Sequence, residues 1–480
     1  MLATQTPASA PRGSTPRGTE ATIQKLLASI RDHEASIQNH KASIQSHEDS
    51  IQAIRELIES LQSNAQTPEA TTEKTVQDIR DEDTEFGDFV KDAEEEADVE
   101  FENEPWDSYA ASETTELFYP VYIGELLNGR YLVEHKLGRG GFSTVWMAHD
   151  IQDGKDVALK VLSLGGYDTN ETRIQTEIRQ HIQERSHLLV ALDTFVLPRE
   201  DNATFHTIHV LPLMGPNLSW NVMQGMSMTT RMSAALQLLK ALEALHKAGI
   251  VHRDLSDGNC MWGLQSLSGL SRAEKYEKLN RPLKMRIPYV EPELWKKGEL
   301  VRPAEIPTDL RTDDFFLGDF GISTKLGDPT YEAKPGFPPP LYCSPERLHN
   351  EPPSFACDMW SYMIVFSELY LDFPPFYSTA GGGIIGDLFK ILGPLPARWK
   401  GLCDHPIIED SWYEDSEEPF PDMELKERIT LRRPEMDEAE KDLATSVLRK
   451  VFVYSPEKRL SATQLLEDSD FKALMQKYGC

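Results

Sequence analysis

Apolar residues recur along this chain with several distinct periods, and each period predicts a different kind of element. From Ile23 to Ile58 isoleucine returns every seventh residue, at 23, 30, 37, 44, 51 and 58, through the repeats SIRDHEA, SIQNHKA, SIQSHED and SIQAIRE. A strict seven-residue period keeps one seam on the same side of a slightly underwound helix, so residues 21–62 are predicted to form a left-handed coiled coil. Ile fills position a, while Leu26, His33, His40, His47, Ile54 and Leu61 fill position d. β-Branched Ile at a favours a parallel pair, so self-association into a homo-oligomer through 21–62 is expected. A lone amphipathic helix is the other arrangement the pattern allows. The three d-position histidines predict that assembly loosens as pH falls through about 6.5, where imidazole takes up a proton.

Elsewhere the periods change. Residues 1–20 are rich in Thr, Ser, Pro and Ala without apolar spacing and are read as disordered. Residues 63–118 carry thirteen acidic side chains between Asp81 and Glu104 against Lys91 alone. Dense like charge opposes collapse, so this stretch is expected to be a disordered or loosely helical linker, either a spacer or a pseudosubstrate-like strip. A folded body is predicted over 119–480. Arg130–Leu137 alternates like a strand, Val157–Val161 is an apolar strand interrupted by Lys160, and a helix is expected over Glu171–Glu184. His209–Gly215 reads as a buried strand, and Thr229–Ala248 has helical spacing.

Composition narrows the class. The chain of 480 residues has 49 basic and 78 acidic side chains, a formal net charge of −29. Such a charge repels nucleic acid and anionic membranes and attracts basic partners. The five cysteines (260, 343, 357, 403 and 480) show no C-x-x-C spacing, which argues for free thiols in a reducing compartment and against a zinc site. The opening residues have no apolar signal core, no stretch of about 20 apolar residues is long enough to span a bilayer, and the terminal KYGC is not a prenylation box. A soluble intracellular protein, cytoplasmic or nuclear, is expected, with no membrane or direct nucleic-acid partner.

The candidate chemistry lies in two short stretches. Ile250–Asn259 reads IVHRDLSDGN, with Asp254 followed five residues later by Asn259, and Leu317–Gly321 reads LGDFG, with Asp319 before Phe-Gly. Phosphoryl transfer from ATP needs a carboxylate to orient the attacking hydroxyl, and an Asn and an Asp to hold metal ions. Upstream, Gly138-x-Gly140 with Phe142 and Val145 suits a turn whose backbone approaches phosphates closely, although Ser143 stands where a third Gly is usual. Lys160 inside an apolar strand is costly unless paired. Glu177 is the favoured partner, because it shares a helix face with Ile174, Ile178 and His181; Glu171 and Glu184 remain open.

Taken together these residues resemble a eukaryotic protein kinase over about 119–480, and more narrowly the SR-protein-kinase-like group of short fungal type. The narrower resemblance rests on YPVYIGELLNGRYLVEHKLGRGGFSTVWMAHD at 119–150, SFACDMWSYMIVFSELYLDFPPF at 354–376, PEKRLSATQLLED at 456–468 and a long insert at about 262–315. It implies an α+β bilobal kinase fold, with a β-rich N-lobe (about 119–214) and a helical C-lobe (about 215–480). It implies ATP and Mg²⁺ as cofactors, with Asp254, Lys160, Asn259 and Asp319 catalytic, and Asn259 and Asp319 holding the metal. The implied ATP site comprises Leu137, Gly138, Arg139, Gly140, Gly141, Phe142, Ser143, Thr144, Val145, Ala158, Lys160, Glu177, Leu211 as gatekeeper and Met214 in the hinge. His252 would pack on Phe320, Arg253 would contact the activation segment, Glu346 would pair with Arg459, and Asp358 would hold the catalytic-loop backbone.

One position departs from the family. Ser256 stands two residues after Asp254, where Ser/Thr kinases place a Lys, and Gly258 occupies the alternative position used by tyrosine kinases. Losing one preorganised contact on a developing anion costs on the order of 10²–10³ in rate. The resemblance therefore implies a Ser/Thr kinase, slowed at this step, acting on basic Arg/Ser-rich proteins. An acidic strip (Glu409, Asp410, Glu414, Asp415, Glu417, Glu418, Asp422, Glu424) is a candidate dock for such substrates, or simply a solvated loop. Other readings are a pseudokinase scaffold that oligomerises through the heptads and a nucleotide-binding switch with negligible turnover. Ser323, Thr324, Thr330 and Tyr331 are candidate phosphosites in the activation segment, Asp319–Glu346.

Overall fold

The alternating segments near 130 and 157 form the middle of a six-stranded antiparallel sheet in the computed structural model, which describes residues 86–109, 117–164, 168–199, 204–288, 294–327, 336, 338–377, 383–403, 410–414 and 424–480. The predicted tail 1–20 and coiled coil 21–62 lie outside the described residues, as do Thr330 and Tyr331. The sheet strands are β2 (Leu126–Leu127), β3 (Tyr131–Arg139), β4 (Ser143–Asp150), β5 (Lys155–Leu162), β6 (Asp193–Pro198) and β7 (Phe205–Pro212), in spatial order β2-β3-β4-β5-β7-β6. One face carries Tyr131, Val133, Trp146, Ala148, Val157, Leu159 and Val210 into a single core, which Val121 joins from the preceding segment. Full burial contributes roughly 1.5–3 kcal/mol for each large aliphatic side chain. The β4–β5 register sets Val145 opposite Lys160, and the β5–β7 register sets Ala158 opposite Leu211.

The helix beside the sheet is α2 (Asp168–His181), numbered after an N-terminal helix described below; it begins and ends three residues earlier than the predicted 171–184. The C-lobe is built around α3 (Met228–Lys247) and α5 (Phe355–Leu371), with the short strand β8 (Ile250–Val251) leading from α3 into the catalytic loop. Ser227 caps α3 by accepting from the Thr230 amide at 3.1 Å. Every residue of α5 from Cys357 to Leu371 is buried, which is why its sequence is apolar on all sides rather than along one stripe. The polar exceptions are bonded: Ser367 donates to the Met363 carbonyl at 2.7 Å and Ser361 to the Tyr342 carbonyl at 2.8 Å. The helix stops at Asp372, whose φ of 62° is left-handed and breaks the repeat.

Within the acidic stretch expected to be a disordered linker, the described residues 86–109 and 117–118 are part of the folded body. The stretch contributes β1 (Asp88–Phe89) and α1 (Ala93–Glu102), capped by Asp92, which accepts from the Glu94 and Glu95 amides. Its order comes from a few apolar and polar anchors that the charge count conceals. Val99, Tyr109 and Phe118 share a small core with Met285, Ile287 and Leu300 of the insert. The insert itself folds as α4 (Arg272–Leu279), β10 (Leu283–Arg286) and β11 (Glu299–Val301), between β9 (Cys260–Leu264) and β12 (Arg311–Leu317). A Ser271/Glu274 capping box starts α4. β1 pairs parallel with β10, so extension and insert form one three-stranded sheet.

Buried ion pairs bind this sheet to the N-lobe. Lys136 of β3 is fully buried and bonds both oxygens of buried Glu104, at 2.7 and 2.6 Å. Lys275 of α4 reaches Glu134 at 2.8 Å and Asp156 at 2.5 Å. The folded body therefore includes residues 86–109, ahead of the expected start at 119.

Candidate active site

A cleft between the lobes holds a cavity of about 360 Å³. Its roof comes from the β3–β4 turn. Cβ atoms built at Gly138 and Gly141 meet nothing within 4 Å, so the chain's own packing does not require glycine there. Absent side chains in a roof leave the backbone free to approach a ligand. Leu137, Gly138, Arg139, Gly140, Ser143, Val145, Ala158, Lys160, Leu211 and Met214 all line the cavity. Gly141, Phe142 and Thr144 do not. Phe142 projects from the turn with 40 % of its surface exposed. Thr144 alternates to the opposite face, where it accepts from the Trp146 indole at 2.9 Å.

Lys160 sits at the back wall. Its ammonium lies 2.9 Å from both oxygens of Glu171 and 3.0 Å from Asp319 Oδ1. Burial disfavours the charge, but Asp319 and Glu171 outweigh it, and the lysine pKa is raised. Asp319 is correspondingly held below the ordinary carboxylate range: burial opposes this, and the Lys160 charge prevails. For Glu171 the balance reverses, burial outweighing Lys160, and its pKa is raised. The partner of Lys160 is thus Glu171 rather than Glu177. Because α2 begins at Asp168, Glu171 falls in its first turn, against β5. Glu177 lies six residues further along and pairs instead with Lys325 of β13 (Thr324–Lys325), and with His181 at 3.1 Å. It is absent from the cavity wall.

The catalytic-loop stretch is fixed from below by α5. Asp358 accepts from the His252 amide at 2.7 Å and the Arg253 amide at 2.8 Å. The His252 ring lies edge-on to Phe320 at 5.5 Å, and its Nε2 is 3.0 Å from the Gly318 carbonyl. The Asp254 amide donates to its Nδ1, so Nε2 carries the ring proton. Burial holds the ring's pKa low. Arg253 donates to the carbonyls of Ile322 at 2.7 Å and Gly336 at 3.2 Å. Arg253 and Asp319 both have positive φ, 71° and 61°. For residues other than Gly this is strained backbone held by its surroundings. Glu346 and Arg459 pair at 2.8 and 3.1 Å, both buried.

Asp254 stands just outside the cavity wall, joined to it through Asn259, whose amide donates to the Asp254 carbonyl at 2.7 Å and carboxylate at 3.1 Å. Burial and the nearby Asp319 charge push the Asp254 pKa up to about 7, against the pull of Asn259, Lys160 and Arg253. Asn259 and Asp319 are neighbours through the Gly318 amide, which donates to the Asn259 carbonyl at 2.9 Å. Ser256 is buried beneath this loop.

Several site residues escape sequence reasoning. Gln175 lines the cavity while accepting from the Ala191 amide at 3.0 Å. Asn170 donates to the carbonyls of Gly321 at 2.8 Å and Ser323 at 3.0 Å, fastening α2 to the segment after Asp319. Ala304 and Ile306, from the insert, close the front of the cavity. Ile174 and Ile178 in the same helix do give a usable signal for Gln175, since it lies on the helix face they bury; nothing local marks Ala304 or Ile306.

Comparison with known proteins agrees with this geometry. The protein kinase domain family matches residues 131–293 and 301–471. The chain is similar to Protein kinase dsk1 of Schizosaccharomyces pombe, 36% identical over 157 residues, which is 30% of this chain and 28% of that protein. It is similar to SRSF protein kinase 3 of Mus musculus, 33% identical over 156 residues, covering 30% of this chain and 27% of that protein. A longer alignment, 22% identical over 370 residues, links it to the probable serine/threonine-protein kinase clkA of Dictyostelium discoideum, covering 73% of this chain and 36% of that protein. The chain thus spans little more than a quarter of the length of the first two relatives.

Proposed function

Because the chain belongs to the protein kinase family, and within it is SR-protein-kinase-like, we propose that it transfers the γ-phosphate of ATP to Ser or Thr of basic, Arg/Ser-rich proteins. The observation that carries this reading is Lys160, held charged between Glu171 and Asp319 on the same cavity wall as Asn259, with Asp254 bonded to Asn259 at the rim. A charged Lys suits the nucleotide phosphates, and a rim carboxylate suits an incoming hydroxyl. With a pKa near 7, Asp254 is poised to accept the hydroxyl proton close to neutral pH.

The donor set fits Mg²⁺. Asp319 takes Lys160 and the Gly321 amide on Oδ1, and Asn259 spends its NH₂ on Asp254, which leaves Asn259 Oδ1 as a hard oxygen donor beside the aspartate. When bound there, the metal would neutralise charge on the transferring phosphoryl group. Glu171 keeps Lys160 from collapsing onto Asp319 alone, and Asn170 keeps the 319–323 backbone against α2.

For the substrate, the acidic strip supports a basic partner. Its described members Asp410 and Glu414 lie 3.4 and 3.6 Å from Lys400, and Glu424 lies 2.8 Å from Arg449. These pairs are exposed, each worth about 0–1 kcal/mol, so a substrate arginine can replace the lysine at little cost. Glu409, Asp415, Glu417, Glu418 and Asp422 lie outside the described residues.

Ser256 favours a second reading, a scaffold that binds nucleotide without efficient transfer. The discriminating assay is radiolabelled phosphate transfer from Mg·ATP to an Arg/Ser-repeat peptide by the native chain, Asp254→Ala and Ser256→Lys. Transfer lost in Asp254→Ala and raised by up to about 10²–10³ in Ser256→Lys supports a slowed kinase. No transfer by a native chain that binds ATP overturns it in favour of the scaffold.

A further inference from the structure

The turn that follows Asp319 is gripped from two directions. It closes on itself where the Ser323 amide donates to the Phe320 carbonyl at 3.1 Å, a reverse turn over residues 320–323. Its remaining carbonyls divide between the lobes. Ile322 accepts from Arg253 of the catalytic loop at 2.7 Å. Gly321 and Ser323, on either side of it, accept from the single side-chain amide of Asn170 at 2.8 and 3.0 Å. Both hydrogens of that amide are thus used on this turn.

The conformation held in this way is a strained one. Asp319 has a φ of 61°, which an aspartate keeps only where its surroundings over-determine it. Before Asp319 the chain is fixed by the Gly318 amide, which donates to the Asn259 carbonyl at 2.9 Å. After it, Phe320 is fully buried edge-on to His252, and the Ser323 hydroxyl donates to the His252 carbonyl at 3.0 Å. The turn also aims the carboxylate, because the Gly321 amide donates to Asp319 Oδ1 at 3.2 Å.

Asn170 and Glu171 are consecutive in the first turn of α2. Glu171 holds Lys160, whose ammonium lies 3.0 Å from that same Asp319 oxygen. One turn of helix therefore reaches Asp319 twice, by way of Lys160 at its side chain and by way of Asn170 at its backbone. The other tie between α2 and this segment, Glu177 with Lys325, is partly exposed and contributes little. Building on the kinase reading, we propose that Asn170 is a positioning residue for the metal site. By donating to Gly321 and Ser323 it sets the direction of the Asp319 carboxylate, and it links that direction to the placement of Lys160 by Glu171.

Calorimetric titration of the full chain with ADP, once with Mg²⁺ and once with EDTA, reads how far the metal tightens nucleotide binding. Asn170→Asp is the decisive variant. It keeps the shape of the side chain and favours α2 by placing a negative charge in its first turn, but it turns a donor to two carbonyls into an acceptor. Asn170→Ala removes the donors without that repulsion. The Mg²⁺ enhancement is expected to fall on the order of 10-fold in Asn170→Ala and further in Asn170→Asp, with ADP affinity in EDTA unchanged in both. Combined with Glu171→Gln, the loss is expected to be less than the product of the two single losses, since both act through Asp319. An enhancement at the native level in Asn170→Asp overturns the assignment. So does a loss equal in Mg²⁺ and in EDTA, which marks a general disturbance of the pocket, and so does a native chain whose ADP affinity ignores Mg²⁺. Losses that multiply in full overturn the link to Glu171. None of these readings needs phosphate transfer, so a native chain that binds Mg·ADP but transfers nothing removes the kinase reading and leaves the role of Asn170 standing.

Discussion

Replacing Glu104 by Gln tests whether the acidic extension is a working part of the N-lobe. Lys136 is completely buried, and among the described residues Glu104 supplies the only negative charge in contact with it, with Asn103 and the Trp146 ring, 5.2 Å from the ammonium, as further neighbours. Burial lowers the Lys136 pKa and Glu104 counters it, so the lysine relies on that carboxylate to remain charged in place. Stripping one partner from a buried pair costs about 3–5 kcal/mol, whereas exchanging both for apolar groups of similar volume is often neutral or stabilising. Glu104→Gln is therefore expected to lose about 3–5 kcal/mol, and Glu104→Leu/Lys136→Met to recover most of it. For domains of 150–250 residues 1 kcal/mol moves Tm by about 2–4 °C. In this larger body the low end applies, which predicts a fall on the order of 6–10 °C by calorimetry. The pH dependence has a definite sign. Glu104 is held below its ordinary pKa: burial opposes this, but the Lys136 charge and hydrogen bonds prevail. Its contribution is thus complete above the ordinary glutamate range and disappears as pH falls through the lowered value. The gap between native chain and Glu104→Gln should close with acidification. A single variant as stable as the native chain, or a double variant no better than the single, refutes the reasoning.

Three further outcomes follow from the active site. Glu171→Gln should lower kcat/KM for peptide phosphorylation on the order of 10²-fold or more, while Glu177→Gln stays within a few-fold; equal losses would reinstate Glu177 as the partner of Lys160. Asp254, with its pKa near 7, should give an activity limb that falls as pH drops below about 7. In the free chain the folded state holds that proton above the ordinary aspartate range, so stability declines as pH rises toward 7, and Asp254→Asn should stabilise at pH 8 but not at pH 4. Denaturant midpoints at both pH values check this. Ala304→Phe should weaken Mg·ADP binding by about 1–3 kcal/mol through overfilling, read by calorimetry, whereas unchanged affinity would remove residue 304 from the pocket wall.

The sequence carried the catalytic centre more fully than its frame. Asp254, Asn259 and Asp319 sit in short local motifs, and their neighbourhood follows once the loop and the strand β12 are adjacent. Lys160 was legible because a cation in an apolar strand demands a partner, but that partner depended on where α2 starts. Glu171, three residues before Ile174 and seven before Ile178, shares that buried face too, so face-sharing alone could not choose between it and Glu177; the choice was made by which turn of the helix lies against Lys160. The acidic extension was misread for a different reason. Charge counting averages over a segment, while its order rests on Val99 and Tyr109, which pack on Met285, Ile287 and Leu300, and on Asn103 and Glu104, which bond Lys136. Ala304 and Ile306 were invisible because only the tertiary return of the insert brings them to the cavity.

That return also orders events during synthesis. Glu134 and Asp156 are buried in the first sheet, and the cation that both contact, Lys275, is 141 and 119 residues further on. At about 5–20 residues per second, Lys275 is made roughly 6–24 s after Asp156. Until then Glu134 lacks this counter-charge and Asp156 has His149 of β4, at 2.9 Å, in its place, so β3–β5 are expected to reach their final packing only after the catalytic loop has been translated. The N-lobe, first in sequence, is thereby completed late. Severing the chain in the hinge should yield an N-terminal fragment that stays open and chaperone-bound, and only a fragment reaching past residue 301 would carry the whole of its own sheet and counter-charges.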